Sequence, residues 1–269
     1  MDTASIDSRT LHSLIGSARA PIILDVRRAP AFEATPVMIP GALRPEGDSV
    51  AYVAPIAAGR PIVAYCVAGH EVSQQAAAAL RAAGHDVQYL DGGLEAWKAA
   101  GLPTIRRRPE WRVPGGSRWI TRERPKIDRI ACPWLIQRFI DPLARFDYVP
   151  TKSVLAEAEA RSAVPYDIAG VTVTHRGERC SFDALIEDFE IHDPALDRLA
   201  TIVRGADTDR LDLAPQSAGL LAASLGLSQA HADDHEMLAN AIPMYDGLYA
   251  WCRREGEGGN ERHSWAPAP

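Results

Sequence analysis

Ile62-Val-Ala-Tyr-Cys66-Val-Ala-Gly69-His-Glu71-Val-Ser73 passes from an apolar strand, through a short loop holding one glycine, into an alanine-rich helix. Strand, tight turn and helix in that order predict an α/β fold at this end of the chain. They also put a thiol where the strand stops. Loop N–H groups and the positive end of the following helix stabilise negative charge on sulfur and lower a thiol pKa. Cys66 is therefore a candidate nucleophile or sulfur carrier. The competing reading makes it a small apolar residue that ends a buried strand.

The 269 residues, 46% of them hydrophobic, suffice for two cores. Residues 1–105 form the first expected domain. Residues 106–116 carry Arg106, Arg107 and Arg108 with several breakers and are read as a linker. Residues 117–253 form the second domain, and the glycine-rich polar run 254–269 a disordered tail. The net charge of −6 argues against a nucleic-acid partner, although basic residues gather between Arg106 and Arg129. Four cysteines, none in a CxxC pair, and no apolar leader after Met1 predict a reduced, cytoplasmic chain. No apolar run approaches the ~20 residues needed to span a bilayer, so no membrane association is expected.

The second domain reads as helix-rich α+β. Residues 146–149, 166–168 and 171–175 are the expected strands. Asp193-Pro194 starts a helix running to Gly205, with aspartate as N-cap and proline at the first helical position. A second helix covers residues 214–226, and a third residues 229–252 with an interruption at Pro243.

Three constellations there carry candidate chemistry. In Trp119-Ile-Thr-Arg122-Glu-Arg124-Pro-Lys126-Ile-Asp128-Arg129, four cations at a helix entry suit an oxyanion such as chromate, sulfate or phosphate. A solvated basic edge explains them equally. On that helix Ile127, Ile130, Ala131, Trp134, Leu135 and Phe139 share an apolar face, which leaves Asp128, Arg129 and Arg138 elsewhere. His175-Arg-Gly-Glu178-Arg-Cys180-Ser-Phe-Asp183 brings metal-ligand types into one loop, without a zinc spacing. His175, Cys180 and Asp207 are the candidate ligands for a metal ion, set against an unmetallated polar loop. In His231-Ala-Asp-Asp-His235-Glu236, histidines one turn apart could share a metal with Asp207, set against an exposed polar face.

Ile22-Ile-Leu-Asp25-Val-Arg27, Ile39-Pro-Gly-Ala42, Ile62-Val-Ala-Tyr-Cys66 and Leu90-Asp-Gly-Gly-Leu-Glu-Ala-Trp97, in this order and spacing, resemble a rhodanese domain. The resemblance implies a doubly wound parallel sheet and a catalytic Cys66 that carries a persulfide. It implies a cradle of Val67, Ala68, Gly69, His70 and Glu71, and an Asp25–Arg27 pair supporting the loop. It also implies transfer of sulfane sulfur from a small donor, thiosulfate or a persulfide, to a thiol acceptor, with no cofactor required. Rhodaneses commonly carry cations after the cysteine and near the loop end; this chain has Val67 and Glu71. A carboxylate there repels a thiolate and a dianionic donor by ~1 to 4 kcal/mol, so weak thiosulfate turnover is expected. The related phosphatase loop needs an arginine where Val72 stands, which excludes that chemistry.

The run Trp119 to Asp141, Tyr148-Val-Pro150, the His175 to Asp183 loop, Ile202-Val-Arg-Gly-Ala-Asp207 and Leu248-Tyr-Ala-Trp251 resemble the C-terminal domain of ChrB-type chromate-resistance proteins. The resemblance implies a link to chromate stress without specifying a reaction. Regulatory members carry a different N-terminal region, so transcriptional regulation is not expected. Together these readings predict a sulfurtransferase linked to oxyanion resistance, with Cys132 or Cys180 as candidate internal sulfur acceptors. The alternative is a non-catalytic chromate or metal sensor that uses the rhodanese part as an interaction module.

Overall fold

The computed structural model describes residues 4–45, 47, 49–111 and 115–255. It contains two compact units. The first comprises Met1–Arg118, Leu135–Arg145 and Asp188–Ile191; the second comprises Trp119–Trp134, Phe146–Glu187 and His192–Pro269. A single boundary near residue 117 therefore does not describe the chain. Hydrogen bonds between distant segments accompany the exchange: Gly41 N donates to Phe139 O at 2.6 Å, and the Ser117 N–H and hydroxyl donate to the Asp141 carboxylate at 2.6 and 2.7 Å.

The first unit contains strands β1 (Ser5–Ile6), β2 (Ile22–Asp25), β3 (Val37–Met38), β4 (Ala42–Leu43), β5 (Ile62–Tyr65), β6 (Val87–Leu90) and β7 (Ile105–Arg106). Its helices are α1 (Ser8–Leu14), α2 (Ala29–Glu33), α3 (Ser49–Val53), α4 (Glu71–Ala82) and α5 (Gly93–Ala99). The main sheet has the order β1-β6-β5-β2-β4, and every pairing in it is parallel. Every residue of β2 and β5 is buried, as expected of parallel strands covered on both faces. Ile22, Leu24 and Ile62 form a cluster with Val53 of α3 and with Ala77 and Leu80 of α4. Strand alternation sends the buried Ile23 and Val63 to the opposite face. The doubly wound parallel sheet predicted for this part is thus present.

Residues 106–111 are folded rather than a free linker. Arg106 pairs with Val37 in the β3–β7 ribbon, and the Arg107 guanidinium donates to the carbonyls of Thr35 and Glu33. Arg108 donates to Asp188 O at 2.7 Å, and Trp111 packs on Phe189 with ring centroids 5.4 Å apart. Backbone carbonyls accept from Arg107 and Arg108, while the half-exposed Arg106 pairs with the Glu190 carboxylate. Of the expected linker, residues 112–114 lie outside the described residues; so do residues 256–269 of the expected tail.

The second unit carries β8 (Arg118–Arg122), β9 (Arg145–Val149) and β10 (Val164–Pro165) in the order β10-β8-β9. Its helices are α6 (Asp128–Leu135), α7 (Val154–Arg161), α8 (Ser181–Asp188), α9 (Pro194–Asp207), α10 (Ser217–Ala230) and α11 (Asp234–Glu255). The helix-rich reading holds. No strand forms over 171–175; only Val173 bridges Tyr166, because Asp167 (φ 50°) and Gly170 (φ 85°) turn the chain between them. Asp193 caps α9 as predicted, accepting from Ala195 N at 2.8 Å. Gly226 does not end α10, which runs on to Ala230. Pro243 lies inside an uninterrupted α11, which starts later than expected, at Asp234.

Pro133 lies inside α6 and cannot donate to Arg129 O. The Tyr166 hydroxyl donates to that carbonyl at 3.3 Å instead. Beyond Leu135 the helix widens into a π-helical turn, Ile136–Ile140. Ile127, Ile130, Ala131, Trp134, Leu135 and Phe139 are all buried, as the predicted apolar face requires. Asp128, expected to lie off that face, is buried as well.

Candidate functional site

Cys66 follows β5 directly, in the loop that leads to α4. The thiol is buried, and its Sγ lies 3.2 Å from the Ser73 hydroxyl, which is equally close to His70 O. Burial alone would raise the thiol pKa. The Ser73 hydroxyl and the N–H groups of Ser73, Ala68 and His70 outweigh it, and the net displacement is downward. Alkylation of Cys66 by iodoacetamide should therefore hold its rate to lower pH than a free thiol does. Ser73→Ala should remove roughly 1.5 kcal/mol of thiolate stabilisation and cut the neutral-pH rate about tenfold. Mass-spectrometric rate profiles against pH for both proteins check this.

The loop is held from behind. Leu94 N and Glu95 N, at the start of α5, donate to the carbonyls of Cys66 and Val67 at 3.0 Å each. A helix start leaves its first N–H groups without intrahelical partners, and here the loop supplies acceptors. Gly69 (φ +71°) and Gly93 (φ +58°) meet backbone to backbone: a Cβ on Gly93 would fall 2.5 Å from Gly69 N and 2.6 Å from Cys66 O. Ser73 and Gly93 thus belong to the site, although the sequence pattern marked neither as functional. Below the loop, Asp25 accepts from Arg27 Nε and Nη2 at 2.8 and 2.5 Å and from the Tyr65 hydroxyl at 2.7 Å.

A cavity of about 290 Å³ opens beside the sulfur, lined among others by Arg27, Arg28, His70 and Glu71. The Nη1 of Arg27 is buried and makes no hydrogen bond among the described residues. Arg27 is neutralised by Asp25, so of the two arginines it is Arg28 that brings positive charge to this cavity. A larger cavity of about 590 Å³ in the same unit is mainly apolar; the polar groups on it, such as Arg107 and Asp141, are engaged with neighbouring backbone. It holds no thiol or imidazole.

In the second unit, Asp128, Asp167 and Asp207 converge on His175. Its Nε2 lies 3.4, 3.5 and 3.1 Å from their respective carboxylate oxygens. Hydrogen bonding to Asp128, opposed by burial and aided by all three carboxylates, pushes the imidazole up to about 9. Burial, then Asp128 and Asp167, push Asp207 up to about 8. Asp167 also takes Arg122 at 2.6 Å, Arg129 at 3.3 Å and the Ser181 hydroxyl at 3.0 Å.

A rhodanese-like domain model matches residues 8–100, and the model of the ChrB C-terminal domain matches residues 119–252. The chain joins a rhodanese-like domain to a ChrB C-terminal domain. Protein ChrB of Cupriavidus metallidurans is 33% identical over 135 residues, which is 50% of this chain and 40% of that protein. This chain thus spans well under half the length of that curated relative. Among solved structures, thiosulfate sulfurtransferase from Pseudomonas aeruginosa is 29% identical, with a TM-score of 0.33, covering 37% of this chain and 19% of that one. The rhodanese-like domain of the Alr3790 protein from Anabaena sp. is 36% identical, with a TM-score of 0.34, covering 42% and 86%.

Within the ChrB C-terminal domain several expected site residues find other employment. Arg122 and Arg129 neutralise Asp167, while Arg124 donates to the carbonyls of Ser228, His231 and Ala232 at the end of α10. Of the four expected oxyanion cations Lys126 is exposed and has no such partner among the described residues, while the other three are engaged, so the four do not form one open site. Cys132 and Cys180 are both wholly buried, and burial, then Asp128, pushes both thiols well up. A sulfur acceptor needs an accessible thiolate, and neither provides one. His231 pairs with Glu236 at 3.3 Å and His235 packs on Tyr148, so neither joins Asp207. Cys180 donates its S–H to Asp183 at 3.4 Å; of the expected metal ligands, His175 and Asp207 are in direct contact. No helix among the described residues is long and apolar enough to cross a membrane.

Proposed function

We propose that the rhodanese-like domain is a sulfurtransferase that carries a persulfide on Cys66 and serves resistance to chromate or a related oxyanion stress. The observation that carries this reading is the Cys66 thiol, lowered in pKa by the Ser73 hydroxyl and three loop N–H groups against the cost of burial. Its thiolate attacks the outer sulfur of the donor. The donor S–S bond breaks, and sulfite from thiosulfate, or a thiolate from a persulfide donor, leaves with the bonding electron pair. An acceptor thiolate then attacks the outer sulfur of the Cys66 persulfide and returns the Cys66 thiolate. The cycle needs no cofactor. Four free cysteines suit a reducing, cytoplasmic setting.

Donor choice rests on two opposed charges. Arg28 attracts an anion to the cavity, and Glu71 repels it, while Arg27 is buried and neutralised by Asp25. Thiosulfate turnover should be slow in the wild type, and Glu71→Gln should raise its kcat/KM by about tenfold, equivalent to about 1.4 kcal/mol. A persulfide donor with less negative charge should gain less. Glu71 is also the observation that favours a second reading, a sensor in which this domain only docks. Sulfurtransfer to cyanide from thiosulfate and from a persulfide donor separates the two. The enzyme reading expects activity that Cys66→Ser abolishes; equal background rates for both proteins with every donor would leave the sensor.

A further inference from the structure

We infer that Asp128, Asp207 and His175, with Asp167 completing the set, form a binding site for one divalent cation of the Mn²⁺ type in the ChrB C-terminal domain. Four separate segments supply these groups: the start of α6, the turn after β10, the loop before α8 and the end of α9. Nε2 of His175 sits at the focus of three carboxylate oxygens, 3.1 to 3.5 Å from each. The ligand atoms of Asp128, Asp167 and His175 lie within 4.8 Å of one another, as do those of Asp128, Cys180 and Asp207. Ligands around one octahedral ion with bonds of roughly 2.1 Å are separated by about 3 to 4.2 Å, so little movement is required.

Charge balance points the same way. Arg122 and Arg129 both serve Asp167. Among the described residues, Asp128 and Asp207 have no guanidinium, and His175 is the cation they share. Asp128 is buried and Asp207 largely so, and a doubly charged ion between them neutralises both carboxylates. A separate observation concerns Cys132, one helical turn beyond Asp128. Its thiol is wholly buried, makes no hydrogen bond among the described residues, and lies within electrostatic reach of Asp128, Asp167, Cys180 and Asp207.

Three oxygen ligands and one imidazole are a hard set, suited to Mn²⁺ or Fe²⁺ rather than to a thiolate-bound zinc. Cys180 stands outside it because its S–H is given to Asp183. His175 is 41% exposed in its side chain while Asp128, Asp167 and Asp207 are 2, 7 and 13% exposed, which makes the imidazole side the path of entry.

The inference is independent of the Cys66 reading and is tested on the full chain after EDTA treatment, by titrating Mn²⁺ and following the free-ion electron paramagnetic resonance signal. One Mn²⁺ per chain is expected, with affinity lowered at least about tenfold in His175→Ala and in Asp207→Asn. Saturating Mn²⁺ should raise the thermal midpoint of the wild type and leave His175→Ala unmoved. Should Asp207→Asn fail to fold, His175→Ala decides alone, since that side chain is partly at the surface. Absence of stoichiometric binding, or wild-type affinity in either folded variant, would overturn the inference.

Discussion

Gly93→Ala is expected to unfold the Cys66 loop and abolish persulfide loading, whereas Gly84→Ala should leave both intact. At Gly93 the backbone is left-handed (φ +58°), and a Cβ would meet Gly69 N, Cys66 O and Val67 O at 2.5 to 2.6 Å. None of these neighbours is a side chain that can swing away. Alanine costs about 1–2 kcal/mol for the backbone conformation and about 1–3 kcal/mol for overpacking. The total, roughly 2–5 kcal/mol, is a large part of a typical domain's stability. Gly84 is also left-handed (φ +90°), but nothing lies within 4 Å of its Cβ position. Only the backbone cost of about 1–2 kcal/mol applies there. Urea unfolding midpoints and Cys66 alkylation rates for the two variants check the difference; equal losses would contradict the backing role of Gly93.

Asp25→Ala should destabilise the rhodanese-like domain by about 3–5 kcal/mol, because it strands a buried guanidinium. The side chains of Asp25 and Arg27 are both fully buried. With the carboxylate gone, Arg27 keeps one carbonyl acceptor, Val37 O at 3.1 Å, and the Tyr65 hydroxyl loses its acceptor. Removing both charges together should hurt less than removing one: Asp25→Leu with Arg27→Met is expected to recover part of the loss. Denaturant unfolding of the single and double variants measures this. A double variant less stable than Asp25→Ala would show that the pair contributes more than its own neutralisation.

The first domain was legible because its signals are local. The apolar runs Ile22–Asp25 and Ile62–Tyr65 are short, buried on both faces and end at the residues that carry chemistry. Gly92-Gly93 was readable as a turn. Its place against the Cys66 loop was not, because that contact joins segments well apart in sequence. Ser73 carried a weak signal: a hydroxyl two residues into α4, at the start of the buried face that continues through Ala77 and Leu80.

In the ChrB C-terminal domain the decisive partners are remote. Asp128, set in a basic run, reads only as a residue off the apolar face until Asp167, His175 and Asp207 are brought to it. Arg122 and Arg129 look like an anion site because the carboxylate that takes them, Asp167, belongs to another segment. Alternation over 171–175 mimics a strand, but the left-handed residues Asp167 and Gly170 break the pairing it would need. Local pattern gives the elements; the ion pairs between distant segments decide which charged groups remain open.

The central claim, a persulfide on Cys66, is tested most directly by intact-mass measurement of the full chain after exposure to a sulfane-sulfur donor and removal of excess reagent. One added sulfur atom is expected in the wild type, absent in Cys66→Ala, and lost again on addition of a thiol acceptor. An unchanged wild-type mass with every donor, or an added sulfur that persists in Cys66→Ala, would contradict it.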